Sequence, residues 1–192
     1  MVFEAGLRLS ERRFLGDFVR PEPWYAGIHR DGASSVKKPA AILDAFDRKL
    51  LNLLQRRGRA SYVEMAEAVN LSESACLRRV KALEETGVIG RYAAVIDERA
   101  VGLPLSVFVT VTLSSQAEAT LSAFEKAIAN VREVAECYLM TGGSDYLLRL
   151  VVADVDDLER VHAQGLTRIP GVVRVSSSIA MRTVVKRVEL PL

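Results

Sequence analysis

The fold is decided by residues 61–87, which read SYVEMAEAVNLSESACLRRVKALEETG. Ser61, followed three residues later by Glu64, forms a capping box, which predicts that a helix begins there. Asn70 tolerates the left-handed conformation of a tight turn, and Ser72 is suited to cap a second, longer helix. Two helices joined by a short turn are typical of a helix-turn-helix motif.

A further helix is predicted upstream, beginning after Asp44 as its N-cap. Its apolar residues recur at helical spacing, so this helix has one face that can pack on the other two. Downstream, two short β-prone runs flank Gly90-Arg91 and predict a wing hairpin. We therefore expect a winged helix-turn-helix domain over residues 41–97. The apolar positions of the first helix are Phe46, Leu50, Leu53 and Leu54, and the two runs of the wing are 88–89 and 92–96.

The rest of the chain alternates between strand and helix patterns in the order β-α-β-β-α-β. This order is typical of a ferredoxin-like fold, an α+β sandwich with its helices on one sheet face. We expect a dimer partner to cover the other face, because a large apolar sheet face is rarely left in water. The predicted strands are 106–113, 134–140, 146–152 and 172–181, and the predicted helices are 117–129 and 155–168. The domain spans 105–185, with a linker at 98–104 and a tail at 186–192.

Composition excludes several classes of protein. The formal net charge is only +2, so a DNA-binding face must come from local clustering. No apolar run has the length of a membrane span or a signal peptide, and we expect a cytoplasmic protein without a membrane partner. The two cysteines, Cys76 and Cys137, are predicted to be reduced, half-buried thiols. Residues 1–40 are rich in turn and linker chemistry, which predicts a flexible N-terminal arm.

The sequence contains no catalytic or metal-binding constellation. His29 and His162 lack partners at metal-ligand spacing, and there is no phosphate-binding glycine motif. We expect neither an enzyme nor a bound metal or cofactor.

The helix that begins after Ser72 carries the strongest functional pattern. Its basic and small polar residues lie on the side away from the apolar positions Val80 and Leu83, as a recognition helix in the major groove requires. Ser74 and Arg78 are predicted to contact bases. The alternative is an ordinary solvated helix face, with Arg79 paired to Glu85 or a neighbouring acid. The predicted DNA-binding set of this helix is Ser72, Ser74, Ala75, Arg78, Arg79 and Lys81, of which Arg79 and Lys81 are assigned to phosphates.

A second basic set is predicted to hold backbone phosphates. It consists of Arg56, Arg57 and Arg59 between the first two helices, and Arg91 on the wing. Arg48 and Lys49 are instead expected to balance Asp44 and Asp47 within the first helix, a contribution of only tenths of a kcal/mol.

The segment 141–146, TGGSDY, is the second informative motif. Paired glycines leave backbone N–H groups uncovered, and such groups can bind a carboxylate. Asp145 beside them can accept an ammonium group, so the segment suits an α-amino acid. The alternative is an ordinary hairpin turn. The candidate ligand-binding set is Thr141, Gly142, Gly143, Ser144, Asp145 and Tyr146.

Taken together, these motifs resemble the Lrp/AsnC family of transcription regulators, named for the leucine-responsive and asparagine regulators. The resemblance runs over residues 43–185, and each motif is weak alone but specific in this order and spacing. The segments that carry it are Leu43-Asp44, Asp47-Arg48-Lys49-Leu50-Leu51, Met65-Ala66, Val69, Leu71-Ser72, Arg79-Val80-Lys81, Leu83-Glu84, Gly87-Val88-Ile89, Glu136-Cys137, Thr141-Gly142, Asp145-Tyr146-Leu147-Leu148 and Ile169-Pro170-Gly171-Val172.

The resemblance implies a regulator that binds double-stranded DNA through its N-terminal domain. It also implies that the C-terminal domain binds an amino-acid effector and assembles homodimers into tetramers or octamers. The effector would lie near residues 141–146, between dimers. Ser144 departs from the family pattern, since many members have an aromatic residue there, and the arm is longer than usual.

Two other functions remain open from the sequence. One is an architectural protein that binds DNA without any ligand. The other is an enzyme, because some sirohaem decarboxylases resemble the same two-domain arrangement; the scarcity of histidine argues against it.

Overall fold

The structure is a computed structural model that describes residues 41–192. The predicted N-terminal arm, residues 1–40, lies outside the described residues. Within the described part, no helix is both long enough and apolar enough to cross a membrane.

Three helices form the N-terminal part: α1 (Ala45–Arg56), α2 (Tyr62–Val69) and α3 (Glu73–Glu85). Each begins where the sequence predicts, because a side chain satisfies the backbone N–H groups that the first turn leaves unpaired. The carboxylate of Asp44 accepts hydrogen bonds at the start of α1. Ser61 and Glu64 form the predicted capping box of α2, and Ser72 caps α3.

The three helices share one apolar core. Cys76 and Val80 of α3 pack with Leu50 of α1 and Met65 and Val69 of α2, and all five are at most 4% exposed. Full burial of such a side chain contributes about 1.5–3 kcal/mol, so the core orients α3 firmly on the other two helices. Asn70 has a φ of 56°, which confirms the predicted left-handed turn between α2 and α3.

The wing hairpin is a wrong prediction. Residues 88–97, which follow α3, contain no strand. The Ile89 N–H donates to the carbonyl of Leu83, and the Tyr92 hydroxyl donates to Glu84. These hydrogen bonds attach the segment to the C-terminal end of α3. Val95 and Ile96 are 73% and 58% exposed, so no packed face supports the isolated two-stranded hairpin.

The C-terminal domain has the predicted order β1 (Leu105–Leu113), α4 (Glu118–Ile128), β2 (Val134–Leu139), β3 (Tyr146–Val152), α5 (Val155–Arg160) and β4 (Val172–Ile179). The strands form one antiparallel sheet in the order β2-β3-β1-β4, which is the ferredoxin-like arrangement. The predicted α+β fold, a helix-turn-helix followed by a ferredoxin-like domain, is confirmed.

The core of this domain lies between one face of the sheet and two helical segments, α4 and residues 155–168. Val107, Val109 and Val111 of β1 are fully buried, while Phe108 between them is 42% exposed on the opposite face. This alternation is typical of a strand, because successive side chains point to opposite faces. The rings of Phe124 and Tyr146 lie 4.5 Å apart between centroids and join α4 to the sheet.

The second helical segment is less regular than predicted. The α-helical part ends at Arg160, a π-helical turn spans Val161–Gly165, and a 3-10 turn spans Leu166–Arg168. Packing explains the irregularity, since Val161, Leu166 and Ile169 are all buried against the sheet in positions that a straight α-helix does not align.

The open sheet face is more polar than predicted. Arg149 on β3 bonds to Glu136 on β2 at 2.8 Å and to Glu98 at 3.2 Å, so an ion-pair cluster interrupts the apolar residues. The cysteines also differ from the prediction of half-burial: Cys76 is buried and Cys137 is exposed.

The tail contacts the N-terminal domain. Gln55 of α1 accepts a hydrogen bond from the Leu190 N–H at 2.5 Å and donates to the Leu190 carbonyl at 3.3 Å. Asn52 donates to the carbonyl oxygen of Leu192 at 3.2 Å. Lys186 forms an ion pair with Glu98 at 2.6 Å. The tail therefore links α1 to the linker.

Candidate DNA-binding and ligand-binding sites

One face of α3 is buried and the opposite face is open to solvent. Ser74, Arg78 and Lys81 are exposed, and their spacing of four and three residues places them in one stripe along the helix. The buried residues Cys76 and Val80 lie on the other side. The stripe therefore has the placement that the sequence predicts for a DNA-reading surface.

The N-terminal turn of α3 combines capping with exposure. The Ser72 hydroxyl accepts a hydrogen bond from the Ala75 N–H at 3.2 Å and lies 3.1 Å from the Ser74 hydroxyl. Ser72 thus serves the helix itself, while Ser74 next to it is exposed.

Arg79 is placed differently from the predicted phosphate contact. Its guanidinium bonds to Asp47 at 2.7 Å and to Asp44 at 2.8 Å, and it lies 5.4 Å from the ring centroid of Phe46. The hydrogen bond to Asp47 is the main cause that raises the pKa of Arg79. Arg79 therefore joins α3 to α1. It pairs with acids, as the alternative predicts, but these are Asp44 and Asp47, whereas the prediction named Glu85. These aspartates were expected to pair with Arg48 and Lys49.

The second basic set is spread over two surfaces. Arg56 and Arg59 are exposed near the end of α1, and Arg91 is exposed beyond α3. Arg57 forms an ion pair with Glu64 of the α2 capping box. Because that pair is exposed, it contributes little to stability, and the guanidinium remains accessible to a phosphate.

The predicted ligand-binding turn is the loop that joins β2 to β3. The Met140 N–H donates to the Asp145 carbonyl at 2.8 Å and closes the loop. Gly142 has a φ of +128°, a conformation that L side chains rarely adopt. No described group accepts a hydrogen bond from the backbone N–H groups of residues 141–144. The loop therefore presents open donors, as the sequence predicts for a carboxylate-binding turn.

Asp145 directly follows this loop in the chain and is only 6% exposed. One carboxylate oxygen accepts the Leu113 N–H at 2.6 Å, where β3 no longer pairs with β1. The other accepts the side-chain amide of Gln116 at 2.8 Å. Tyr146 follows in the core, with its hydroxyl donating to Glu125 at 2.9 Å. Asp145 and Tyr146 thus have partners within the chain, whereas Thr141, Gly142 and Gly143 are exposed and Ser144 is half-buried.

Sequence reasoning missed Gln116 as part of this site. It precedes α4 in the loop after β1, and 29 residues separate it from Asp145. No local pattern marks it, because only the pairing of β1 with β3 brings the two segments together.

Two family models match the two domains of this chain. The Lrp/AsnC ligand binding domain matches residues 106–190, and the AsnC-type helix-turn-helix domain matches residues 43–84. The chain belongs to the Lrp/AsnC family. This places the exposed stripe of α3 in a DNA-binding helix-turn-helix, and the loop of residues 141–144 in a ligand-binding domain.

Named relatives agree with this assignment. The leucine-responsive regulatory protein of Escherichia coli K12 is 37% identical over 150 residues, which cover 78% of this chain and 92% of that protein. An uncharacterized HTH-type transcriptional regulator of Sinorhizobium fredii is 46% identical over 116 residues, covering 60% of this chain and 91% of that protein.

Solved structures of Lrp/AsnC relatives share the fold. A transcriptional regulator of Neisseria meningitidis, crystallised in complex with L-Met, has a TM-score of 0.74 and 34% identity, covering 78% of this chain and 96% of its own. An AsnC family regulator of Agrobacterium tumefaciens has a TM-score of 0.74 and 35% identity, covering 78% and 97%. The protein is thus a transcription regulator that binds DNA and a small molecule in separate domains.

Proposed function

We propose that this Lrp/AsnC protein senses an α-amino acid and adjusts its binding to DNA accordingly. The observation that carries the proposal is the loop of residues 141–144, whose backbone N–H groups have no acceptor among the described residues and which leads directly into Asp145. An amino-acid carboxylate fits the N–H groups, and its ammonium group fits Asp145. Thr141 and Ser144 supply hydroxyl groups at the rim, and Tyr146 holds the strand below.

The ligand is tested by titrating the purified protein with each of the twenty L-amino acids in a calorimeter. L-methionine is the first probe, because it is present in the complex of the Neisseria meningitidis relative. Asp145→Ala is expected to abolish the heat of binding. Because this change removes a buried hydrogen-bond acceptor, circular dichroism must show that the variant is folded. A folded variant that binds as tightly as the wild type would move the site elsewhere.

We propose that the DNA-binding surface consists of exposed residues of α3 and the half-buried Ala75, with flanking phosphate contacts. Ser74, Ala75 and Arg78 read bases in the major groove, and Lys81 holds phosphate, because base edges specify and phosphates position. Arg57, Arg59 and Arg91 add phosphate contacts, whereas Ser72 acts through the cap of α3. Selection from a random DNA pool, followed by fluorescence anisotropy with the selected site, tests this surface.

The protein is proposed to act as a homodimer or a larger assembly of dimers. A two-fold dimer presents two α3 helices, so the selected site should be an imperfect palindrome. The effector then shifts the balance between two assemblies that differ in their affinity for it. Light scattering after size-exclusion chromatography, with and without amino acids, measures this shift. If neither the DNA affinity nor the size of the assembly changes with any amino acid, the protein would instead be an architectural DNA-binding protein.

We also infer that the protein acts by binding and not by catalysis. The relatives are named as transcription regulators. A tetrapyrrole absorption band in the purified protein would contradict this inference and favour the decarboxylase alternative.

A further inference from the structure

We propose that Gln116 is a competitive gate of the amino-acid site. Its side-chain amide occupies the position on Asp145 that the ligand's ammonium group takes, so the ligand must displace it. This inference rests on the proposed function, in which Asp145 binds the ammonium.

The two partners of the Asp145 carboxylate differ in how easily they exchange. The Leu113 N–H belongs to the buried end of β1, and its 2.6 Å bond is held by the sheet. The Gln116 amide reaches the other oxygen at 2.8 Å from an exposed side chain. A backbone donor in a sheet cannot leave without breaking the strand, whereas a side-chain amide leaves by rotation.

The backbone around Gln116 is held in place, which confines the exchange to the side chain. On one side, the Ser114 N–H donates to the Gly171 carbonyl at 2.8 Å. On the other side, the Ala117 N–H donates to the Ser115 hydroxyl at 3.1 Å, just before α4 begins. The side chain of Gln116 can therefore rotate towards or away from Asp145 while its backbone stays in place.

The charge of the ligand's ammonium group explains why it can displace the Gln116 amide from Asp145. Both donors form hydrogen bonds to an ionised acceptor, but an ammonium group adds the attraction between opposite charges, which the neutral amide of Gln116 lacks. A ligand without a positive charge has no such advantage, because it offers Asp145 only a neutral hydrogen-bond donor, as Gln116 does. The gate thus makes the site selective for molecules that carry both a carboxylate and an ammonium group.

Two substitutions of similar length separate this role from a structural one. Gln116→Met keeps the reach of the side chain but cannot donate, so L-amino acids should bind about tenfold more tightly, as expected for removal of a hydrogen bond to a charged group. Gln116→Lys supplies a tethered ammonium group that competes permanently, so affinity should fall by at least about tenfold. Gln164→Met, a change at an exposed glutamine of the π-helical turn, is the matched control.

The measurement is calorimetric titration of the full chain with L-methionine and the other nineteen L-amino acids, one by one. The best ligand is then compared with the same molecule lacking its α-amino group, for which Gln116→Met should bring no gain. If the wild type binds an amino acid but the Met and Lys variants shift affinity in the same direction or not at all, the gate is refuted and the proposed function stands. If the wild type and all variants bind no amino acid, the proposed function fails and the gate fails with it.

Discussion

At the residue scale, neighbouring arginines on α3 have opposite roles. Arg78 is exposed, whereas the side chain of Arg79 is 29% exposed and bonds to Asp44 and Asp47. Helical periodicity identifies both as lying away from the buried residues, but it does not reveal that the N-terminal turn of α1 brings two carboxylates to one of them. The difference predicts two distinct phenotypes.

Arg78→Ala is expected to weaken binding to the selected DNA site by about 5- to 150-fold, because a base contact contributes about 1–3 kcal/mol. Its free energy of unfolding should stay within about 0.5 kcal/mol of the wild type, as for most surface changes. Anisotropy titration and urea unfolding measure the two quantities. Arg168→Ala, at an exposed arginine of the C-terminal domain, is the control, and equal DNA affinity of all three proteins would refute the assigned surface.

Arg79→Ala is expected to show the reverse pattern. Loss of the guanidinium leaves Asp44 and Asp47 side by side without their shared cation, which should lower the free energy of unfolding by about 1–2 kcal/mol. Urea unfolding measures the loss. A variant as stable as the wild type but defective in DNA binding would contradict this expectation and support the predicted contact of Arg79 with phosphate.

The two glycines of the ligand loop are also predicted to differ. A Cβ atom meets no neighbour within 4 Å at either position, so space is available at both. Only Gly142 has a positive φ, of +128°, and Gly142→Ala should therefore cost about 1–3 kcal/mol of backbone strain. Gly143→Ala should be tolerated. Thermal unfolding measures the stability of both variants. Equal melting temperatures for Gly142→Ala and Gly143→Ala would contradict the backbone conformation of the loop.

At the element scale, local chemistry accounts for where the helices begin. Asp44, Ser61 and Ser72 each cap the helix that the sequence predicts there. The strand bounds follow from alternation, and β3 matches its prediction at both ends. Elements that depend on distant partners follow the prediction less well. The wing did not form strands, and the second helical segment of the sensor domain changes to π and 3-10 turns where it packs on the sheet.

The capping box of α2 provides a test at this scale. Ser61→Ala removes the acceptor of the Glu64 N–H and is expected to lower the free energy of unfolding by about 1 kcal/mol. Ser61→Thr keeps the hydroxyl and should retain most of the stability. Urea unfolding compares the variants, and an Ala variant as stable as the Thr variant would show that packing alone holds α2.

At the scale of the whole molecule, a chain of charges connects the tail, the linker and the sheet. Lys186 pairs with Glu98, Glu98 with Arg149, and Arg149 with Glu136. The hydrogen bond from Lys186 is the main cause that lowers the pKa of Glu98 below its ordinary value of 4.5. A carboxyl group with a lowered pKa in the folded state stabilises the protein above the unfolded-state pKa. That contribution is lost as the pH falls through the folded-state pKa.

Glu98→Gln is accordingly expected to reduce stability at neutral pH, with the deficit relative to the wild type shrinking as the pH falls below 4.5. Urea unfolding at several pH values from neutral to acidic measures the deficit. Glu159→Gln, at an exposed residue of α5, is the control. A deficit that stays constant down to the lowest pH would show that the charge of Glu98 contributes nothing.

The three helices, their caps, the order of the four strands and the family of the chain are all predictable from local sequence patterns. These features depend on residues close together in the chain, where periodicity and capping chemistry act directly. Three contacts follow from no local pattern: Arg79 with Asp47, Gln116 with Asp145, and the tail with Gln55. Those pairs lie far apart in sequence, and only the packing of the helices and the register of the sheet bring them within bonding distance.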